Sequence, residues 1–297
     1  MLAAASTSLG IVILLVLVRE VFHQLLHPEG RGFLSVALLR GCRWIARRLG
    51  RQAMVFAGPA SLGLVLLSWF VLAVLGWALV LLPHMPEGFS YVGKVQPREP
   101  VVDALYVSTM TVSTLGFGDI VPDTAALRLL VPLESVMGFG LLTASLTWLL
   151  SIYQPLARQR TLARQVSRLL EREEVEGRHL QAITGMVSAT TIDLNMTSAI
   201  YYFHARDDRE CFARVSVALW DLASRTANRT DDPARHDARA LCQALNELGE
   251  VVAEDHVTWA RGHGTREILR AWAVDDGPVV DEQSQLEQTH DGRAAAG

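Results

Sequence analysis

Apolar residues fall in three long runs in the first half of the chain and in a spaced, helical pattern in the second. The runs cover Leu2 to about Leu26, about Pro59 to Leu82, and about Thr124 to Tyr153. Each reaches the ~20 residues that a helix needs to cross a bilayer. From about residue 154 the chain turns rich in Arg, Asp and Glu, which reads as a soluble part following a membrane part. The pattern divides the chain into an N-terminal transmembrane helix (1–27), a basic linker (28–57), a membrane core (58–153), a C-terminal helical domain (154–274) and a tail (275–297). The expected fold is an all-α membrane protein with three transmembrane helices and a cytoplasmic helical domain.

In the soluble half, Leu162, Val166 and Leu169 recur at spacings of four and three, as in a helix continuing from the third span. This stretch carries a basic run, Arg158, Arg160, Arg164 and Arg168, followed by acidic Glu171, Glu173, Glu174 and Glu176. Pro155 is a candidate kink. The basic run is expected to meet anionic lipid or the acidic cluster, against the alternative of a solvated charged face. A helix over about 179–205 is apolar nearly all round. The next begins at Asp207 or Asp208, with Glu210 completing a capping-box-like start and Phe212, Val215, Leu219 and Leu222 as its core stripe. Asp232-Pro233 opens another, with the stripe Leu241, Leu245, Leu248, Val252, His256 and Trp259. Thr265 caps a last short helix containing Trp272, and from Asp275 the chain reads as disordered and mildly acidic.

Arginine placement sets the orientation. The linker carries Arg31, Arg40, Arg43, Arg47, Arg48 and Arg51, whereas residues 83–123 carry only Lys94 and Arg98. The linker is therefore expected in the cytoplasm, with the N-terminus outside and the C-terminal domain inside. Residues 34–49 interleave arginines with apolar residues and Trp44, as in a helix lying on anionic lipid. A voltage sensor also spaces arginines by three, but the step breaks at Ala46 and only one span precedes it. The N-terminal run has no basic residue at its start, unlike a secretory signal peptide. Three cysteines without a CxxC pair argue against a disulfide framework and a zinc site.

Between the second and third runs lies Ser113-Thr114-Leu115-Gly116-Phe117-Gly118-Asp119. Glycines at alternate positions suit a backbone that must take φ values L-residues resist. Such a backbone turns successive carbonyls the same way, and with the Thr114 hydroxyl it forms a ladder of oxygens that can replace the hydration shell of K+. The segment resembles the signature of single-pore-loop potassium channels of the bacterial kind, T-V-G-Y-G or T-I-G-F-G followed by Asp or Asn; here it reads T-L-G-F-G-D. The resemblance covers about residues 59–153.

That resemblance implies an outer helix, a re-entrant pore helix over about 101–112, a filter at Thr114, Leu115, Gly116, Phe117 and Gly118 that binds K+, and an inner helix. It places Tyr106 and Asp119 in support of the filter, and Ser113 and Glu134 are read beside them as further support. Met110 stands where a bacterial member has a glutamate paired with the Asp after the filter, so Asp119 needs another partner or stays solvated. Arg128 and Gly138 match the family's inner helix, with Gly138 as gating hinge and Gly140 as a second flexible point; a glycine there equally permits close packing. Phe139, Leu142, Leu146 and Leu150 would line the cavity. Glu134, the carboxylate deep in the third span, either accepts hydrogen bonds from Ser113 or Thr111 or is a protonated or locally paired structural residue.

One pore loop per chain requires four chains around one axis, hence a homotetramer. The implied function is passive, selective K+ conduction in the cell membrane. Alternatives are a weakly selective cation channel or uptake subunit, or a membrane-anchored signalling protein with a silent pore. No nucleophile–base arrangement, cofactor loop, P-loop, EF-hand or metal-ligand spacing is present in the sequence, so neither an enzyme nor a cofactor is expected, and no nucleic-acid partner. The gating stimulus is not legible.

Overall fold

The computed structural model describes residues 2–26, 32–93, 96–172, 175–205, 207–229 and 232–276. Arg31, Lys94, Glu173, Glu174 and the tail beyond Asp276 lie outside the described residues. The protein is an all-α membrane protein in which, among the described residues, three helices are long and apolar enough to cross a membrane. It divides into two units, residues 1–38 with 61–151, and residues 39–60 with 152–297.

The first unit holds α1 (Leu2–Leu26), the start of α2 (Phe33–Leu49), most of α3 (Arg51–Leu81), α4 (Pro100–Val112) and the first part of α5 (Ala125–Leu170). Glu20, the only acidic residue of α1, is buried because it serves the next helix: its Oε1 accepts from the Ser35 N–H (2.8 Å) and hydroxyl (2.9 Å) in the first turn of α2. Such donors at a helix start have no intrahelical partner. The outer loop, rich in proline, is more regular than its sequence suggests. β1 (Phe89–Tyr91) pairs antiparallel with β2 (Ile120–Pro122), with Tyr91 opposite Ile120. A core of Ala78, Leu81, Met85, Phe89, Ala104, Val107 and Leu127 packs this strand pair against α3, α4 and α5. Deeper along α5, Trp148 lies against Trp69 with ring centroids 5.4 Å apart, both buried.

Both long spans outrun their apolar stretches. α3 starts at Arg51 and carries Pro59 inside it, and α5 continues unbroken through Pro155 to Leu170. A proline removes one i→i−4 bond; the flanking turns keep theirs, so neither helix ends there.

The second unit holds the remainder of α2, the start of α3 and the end of α5 with α6 (Gly177–Met196), α7 (Phe212–Asn228), α8 (Arg235–Asp255) and α9 (Thr265–Asp276). α6 is shorter than its apolar pattern implies, ending at Met196 before a 3-10 segment, Ser198–Tyr202. Glu210 does not cap α7. It lies in a separate 3-10 turn and pairs with Arg164, while Cys211 precedes the helix. The buried face of α7 is Phe212, Ser216, Leu219, Ala223 and Thr226; Val215 and Leu222 are half-buried. On α8, Leu241, Leu245, Leu248 and Val252 are buried as expected, but the helix stops at Asp255 and Trp259 is exposed in a following 3-10 turn. Thr265 opens α9, yet its hydroxyl donates to Asn246 on α8. Arg158 pairs with Asp193 (2.7 Å) on α6 and Arg164 with Glu210, so among the described residues two members of the basic run find partners there, while Glu173 and Glu174 of the acidic cluster lie outside the described residues.

Asp275 and Asp276 belong to α9, not to a solvated tail. Arg43 donates to Asp275 Oδ2 (2.5 Å), Arg47 and the Tyr201 hydroxyl also bond to the Asp275 carboxylate, and the Arg43 guanidinium lies over the Tyr201 ring at 4.8 Å. Asp276 pairs with His204 (2.5 Å) and accepts from the Cys211 thiol (2.7 Å). Burial and the neighbouring Asp276 push the Cys211 thiol up. Burial alone would raise Asp276, but the His204 and Cys211 contacts outweigh it and hold its carboxyl below the usual range. The linker helix is thus not spread with all its arginines on lipid. Arg43 and Arg47 turn to Asp275, because a buried guanidinium needs a partner, while Arg40, Trp44 and Arg48 stay exposed. Asp275→Ala strips the shared carboxylate from Arg43, whose side chain is 9 % exposed. Breaking a buried pair from one side costs about 3–5 kcal/mol, so the variant is expected to melt well below the parent by circular dichroism in detergent.

Candidate functional site

The site is built from α4, the loop that follows it and α5. Glu99 precedes α4 and Pro100 takes its first position, where a missing N–H costs nothing. Asp103 in the first turn is buried and accepts from the Arg98 N–H (2.9 Å) and the Tyr91 hydroxyl (2.7 Å). Burial and this carboxylate push the Tyr91 hydroxyl up to about 12. The contact ties β1 to the start of α4, and β2 ties the end of the loop to β1.

At its C-terminus α4 hands its last carbonyls to the loop. The Thr114 N–H bonds to Thr111 O (3.0 Å), and the Leu115 and Gly116 N–H groups share Met110 O (2.9 and 3.3 Å). Three alternate residues then take positive φ: Thr114 at 60°, Gly116 at 50° and Gly118 at 73°. Leu115 and Phe117, between them, do not. Phe117 is 69 % exposed and Leu115 59 % exposed in one chain.

Asp119, which lacks a glutamate at position 110, is held by Tyr106, whose hydroxyl donates to its Oδ2 (2.7 Å). Tyr106 and Asp119 thus meet. Ser113 does not reach Glu134; its hydroxyl donates to Met110 O (3.3 Å). The partner of Glu134 is Ser108, whose hydroxyl oxygen lies 2.6 Å from its Oε1, and both residues are fully buried. α4 and α5 descend together, and Ser108 sits one turn above Val112 as Glu134 sits one turn above Gly138. Val112 and Gly138 are in contact: a Cβ added at Gly138 would lie 2.2 Å from Val112 O. What the structure shows at Gly138 is therefore close packing; at Gly140 an added Cβ meets nothing within 4 Å. Ser108 and the β1–β2 pair were missed in the sequence. Ser108 is detectable only as a small polar residue on the helix face shared with Val112.

The buried face of α5 carries Glu134, Gly138 and Trp148, and Phe139, Leu142, Leu146 and Leu150 lie together on a different, exposed face. At the head of α5 the Thr124 hydroxyl accepts from the Leu127 N–H (3.4 Å), and Arg128 lies 3.7 Å from Asp123 at the surface.

A short pore-type helix, a glycine loop and a long apolar helix in this order coincide with one match to a known family. Residues 64–154 match the family model described as "Ion channel". This third of the chain is similar to an ion-channel domain. Over 207 residues, 64 % of the chain, it is 28 % identical to the uncharacterized membrane protein YdjJ of Bacillus subtilis, and spans 58 % of that protein. It is 34 % identical over 82 residues to two pore potassium channel c of Oryza sativa subsp. japonica, and 38 % identical over 64 residues to two-pore potassium channel 2 of Arabidopsis thaliana. These matches take in 28 % and 20 % of the chain and 18 % and 14 % of the relatives. The chain thus spans less than two thirds of each of these relatives. No solved structure matches it.

Proposed function

We propose that this protein is a potassium-selective channel in which four copies surround one pore and Thr114–Gly118 of each chain supply the filter. The observation that carries the reading is the alternation of φ at Thr114, Gly116 and Gly118. Alternating handedness aims successive carbonyls to one side, which is what stripping and replacing the water around K+ requires. The likeness to the two plant potassium channels supports K+ as the ion.

Fourfold assembly follows from the same loop, since one chain supplies only one side of a coordination cage. It also covers Leu115, Phe117, Leu129, Leu133 and Val136, which are exposed in one chain as apolar residues at an interface are. In this reading Phe139, Leu142, Leu146 and Leu150 face the cavity below the filter, and an apolar ring there closes the pore by dewetting. Lysine and arginine placement puts the filter loop outside and the C-terminal helices in the cytoplasm. The exposed Arg40, Trp44 and Arg48 face of α2 rests on anionic lipid.

The test is flux through purified protein in liposomes. Under opposed K+ and Na+ gradients the reversal potential is expected to follow K+, and mass measurement in detergent to give four chains. Equal permeability to both ions, no flux at all, or a stable monomer would overturn the reading.

A further inference from the structure

The Ser108 hydroxyl has one hydrogen and two acceptors in reach. It lies 2.9 Å from Val74 O on α3 and 2.6 Å from Glu134 Oε1 on α5. Val74 O has no proton to give. If the Ser108 hydrogen goes to Val74, the short contact with Glu134 is a hydrogen bond only when Glu134 brings a hydrogen of its own. The other carboxyl oxygen, Oε2, is buried without a hydrogen-bond partner among the described residues. A carboxylate there would carry its charge, fully buried, on one shared hydrogen bond and with no salt bridge to a cation among the described residues. Burying an unpaired ion costs far more than burying a neutral group, and such groups neutralise instead.

We propose that Glu134 is a neutral carboxylic acid whose proton begins a two-bond relay, Glu134 Oε1–H to Ser108 Oγ and Ser108 Oγ–H to Val74 O, that positions the filter. In this arrangement Oε2 is the carbonyl oxygen of the acid. An unmade bond at a neutral acceptor is a smaller penalty than at a charged one. The relay joins inner helix, α4 and α3 one turn above the Val112–Gly138 contact. α4 therefore cannot slide or turn against α5 without breaking it, and the filter starts two residues past the end of α4. Glu134 and Ser108 are positioning residues that act through α4 and touch no ion. The effect on flux rests on the channel reading above; the protonation of Glu134 does not.

The experiment uses the full chain in liposomes, with parent, Glu134→Gln, Glu134→Leu and Ser108→Ala. Infrared spectra at neutral pH are expected to show the carbonyl stretch of a protonated acid shielded from deuterium exchange, lost in Glu134→Gln. Glutamine keeps the length, the neutrality and a donor for Ser108, so Glu134→Gln is expected to hold the parent's K+ flux and selectivity. Glu134→Leu removes the donor that ties α5 to Ser108, and Ser108→Ala leaves the buried Glu134 acid unpaired; each is expected to lose about tenfold or more in flux, with four-chain mass retained. A parent spectrum without the Glu134-dependent band overturns the proposal, as does a Glu134→Gln variant that stays tetrameric but loses selective flux. Parental behaviour of both Glu134→Leu and Ser108→Ala overturns the positioning role. If the parent itself carries no K+ flux, the channel reading fails, and the infrared band still decides the state of Glu134.

Discussion

Alanine at Gly116 or at Gly118 is expected to abolish selective flux while leaving the protein folded and tetrameric. Both glycines sit at positive φ, 50° and 73°, and an added Cβ at either would meet nothing within 4 Å in its own chain. The cost is therefore in the backbone rather than in packing. A left-handed conformation costs an L-residue roughly 1–2 kcal/mol because Cβ crowds the following carbonyl oxygen. Alanine escapes by rotating the peptide, which in the proposed channel turns a carbonyl away from the axis in all four chains together. A control separates this from a general cost of positive φ. Gly93, just after β1, has a φ of 76° and open space around it but lies outside the filter. Gly93→Ala carries the same backbone penalty and is expected to keep parental reversal potentials. If Gly116→Ala still discriminates K+ from Na+, Thr114–Gly118 is not the filter.

This part of the molecule was legible because its signals are local. A helix long enough to cross a bilayer is a matter of run length, and alternating glycines announce an unusual backbone. The supports were not legible. Phe89–Tyr91 and Ile120–Pro122 are too short to show a strand period, and they pair only because α4 and the loop bring them together. Glu134 was recognised as a residue needing a partner, but reading by height assigned it Ser113 or Thr111. The partner is set by helix register, and parallel descent of α4 and α5 selects Ser108.

The end of α9 shows the same limit at long range. Two aspartates at a helix C-terminus oppose the helix dipole, so Asp275 and Asp276 look like the start of a solvated tail. Their stabilising partners are far away in sequence. Arg43 and Arg47 lie 232 and 228 residues before Asp275. The linker pattern, conversely, suggested one environment for all its arginines. The helix has two faces, and burial divides them.

Gly138→Ala and Gly140→Ala are expected to part company, and the difference identifies what Gly138 does. Both glycines lie within α5, and alanine at either stiffens the helix by a similar amount, about 1 kcal/mol in propensity. If flexibility were the point, the two variants would behave alike. Their surroundings differ. An added Cβ at Gly138 would lie 2.2 Å from Val112 O and 2.8 Å from its carbonyl carbon, both backbone atoms that cannot swing aside like the tip of a side chain. Around Gly140 there is open space. Gly138→Ala must therefore push α4 and α5 apart at the residue that ends α4, directly ahead of Ser113 and Thr114. Overpacking of this kind costs about 1–3 kcal/mol, and the displacement lands on the filter. Gly138→Ala is expected to lower the melting temperature of the tetramer and reduce K+ flux by more than tenfold, with impaired selectivity in what remains. Gly140→Ala is expected to melt and conduct as the parent does. Equal loss of flux in both, with unchanged selectivity and stability, would assign Gly138 to bending rather than packing. A Gly138→Ala variant indistinguishable from the parent would show that the close approach of α5 to Val112 does not hold the filter in place.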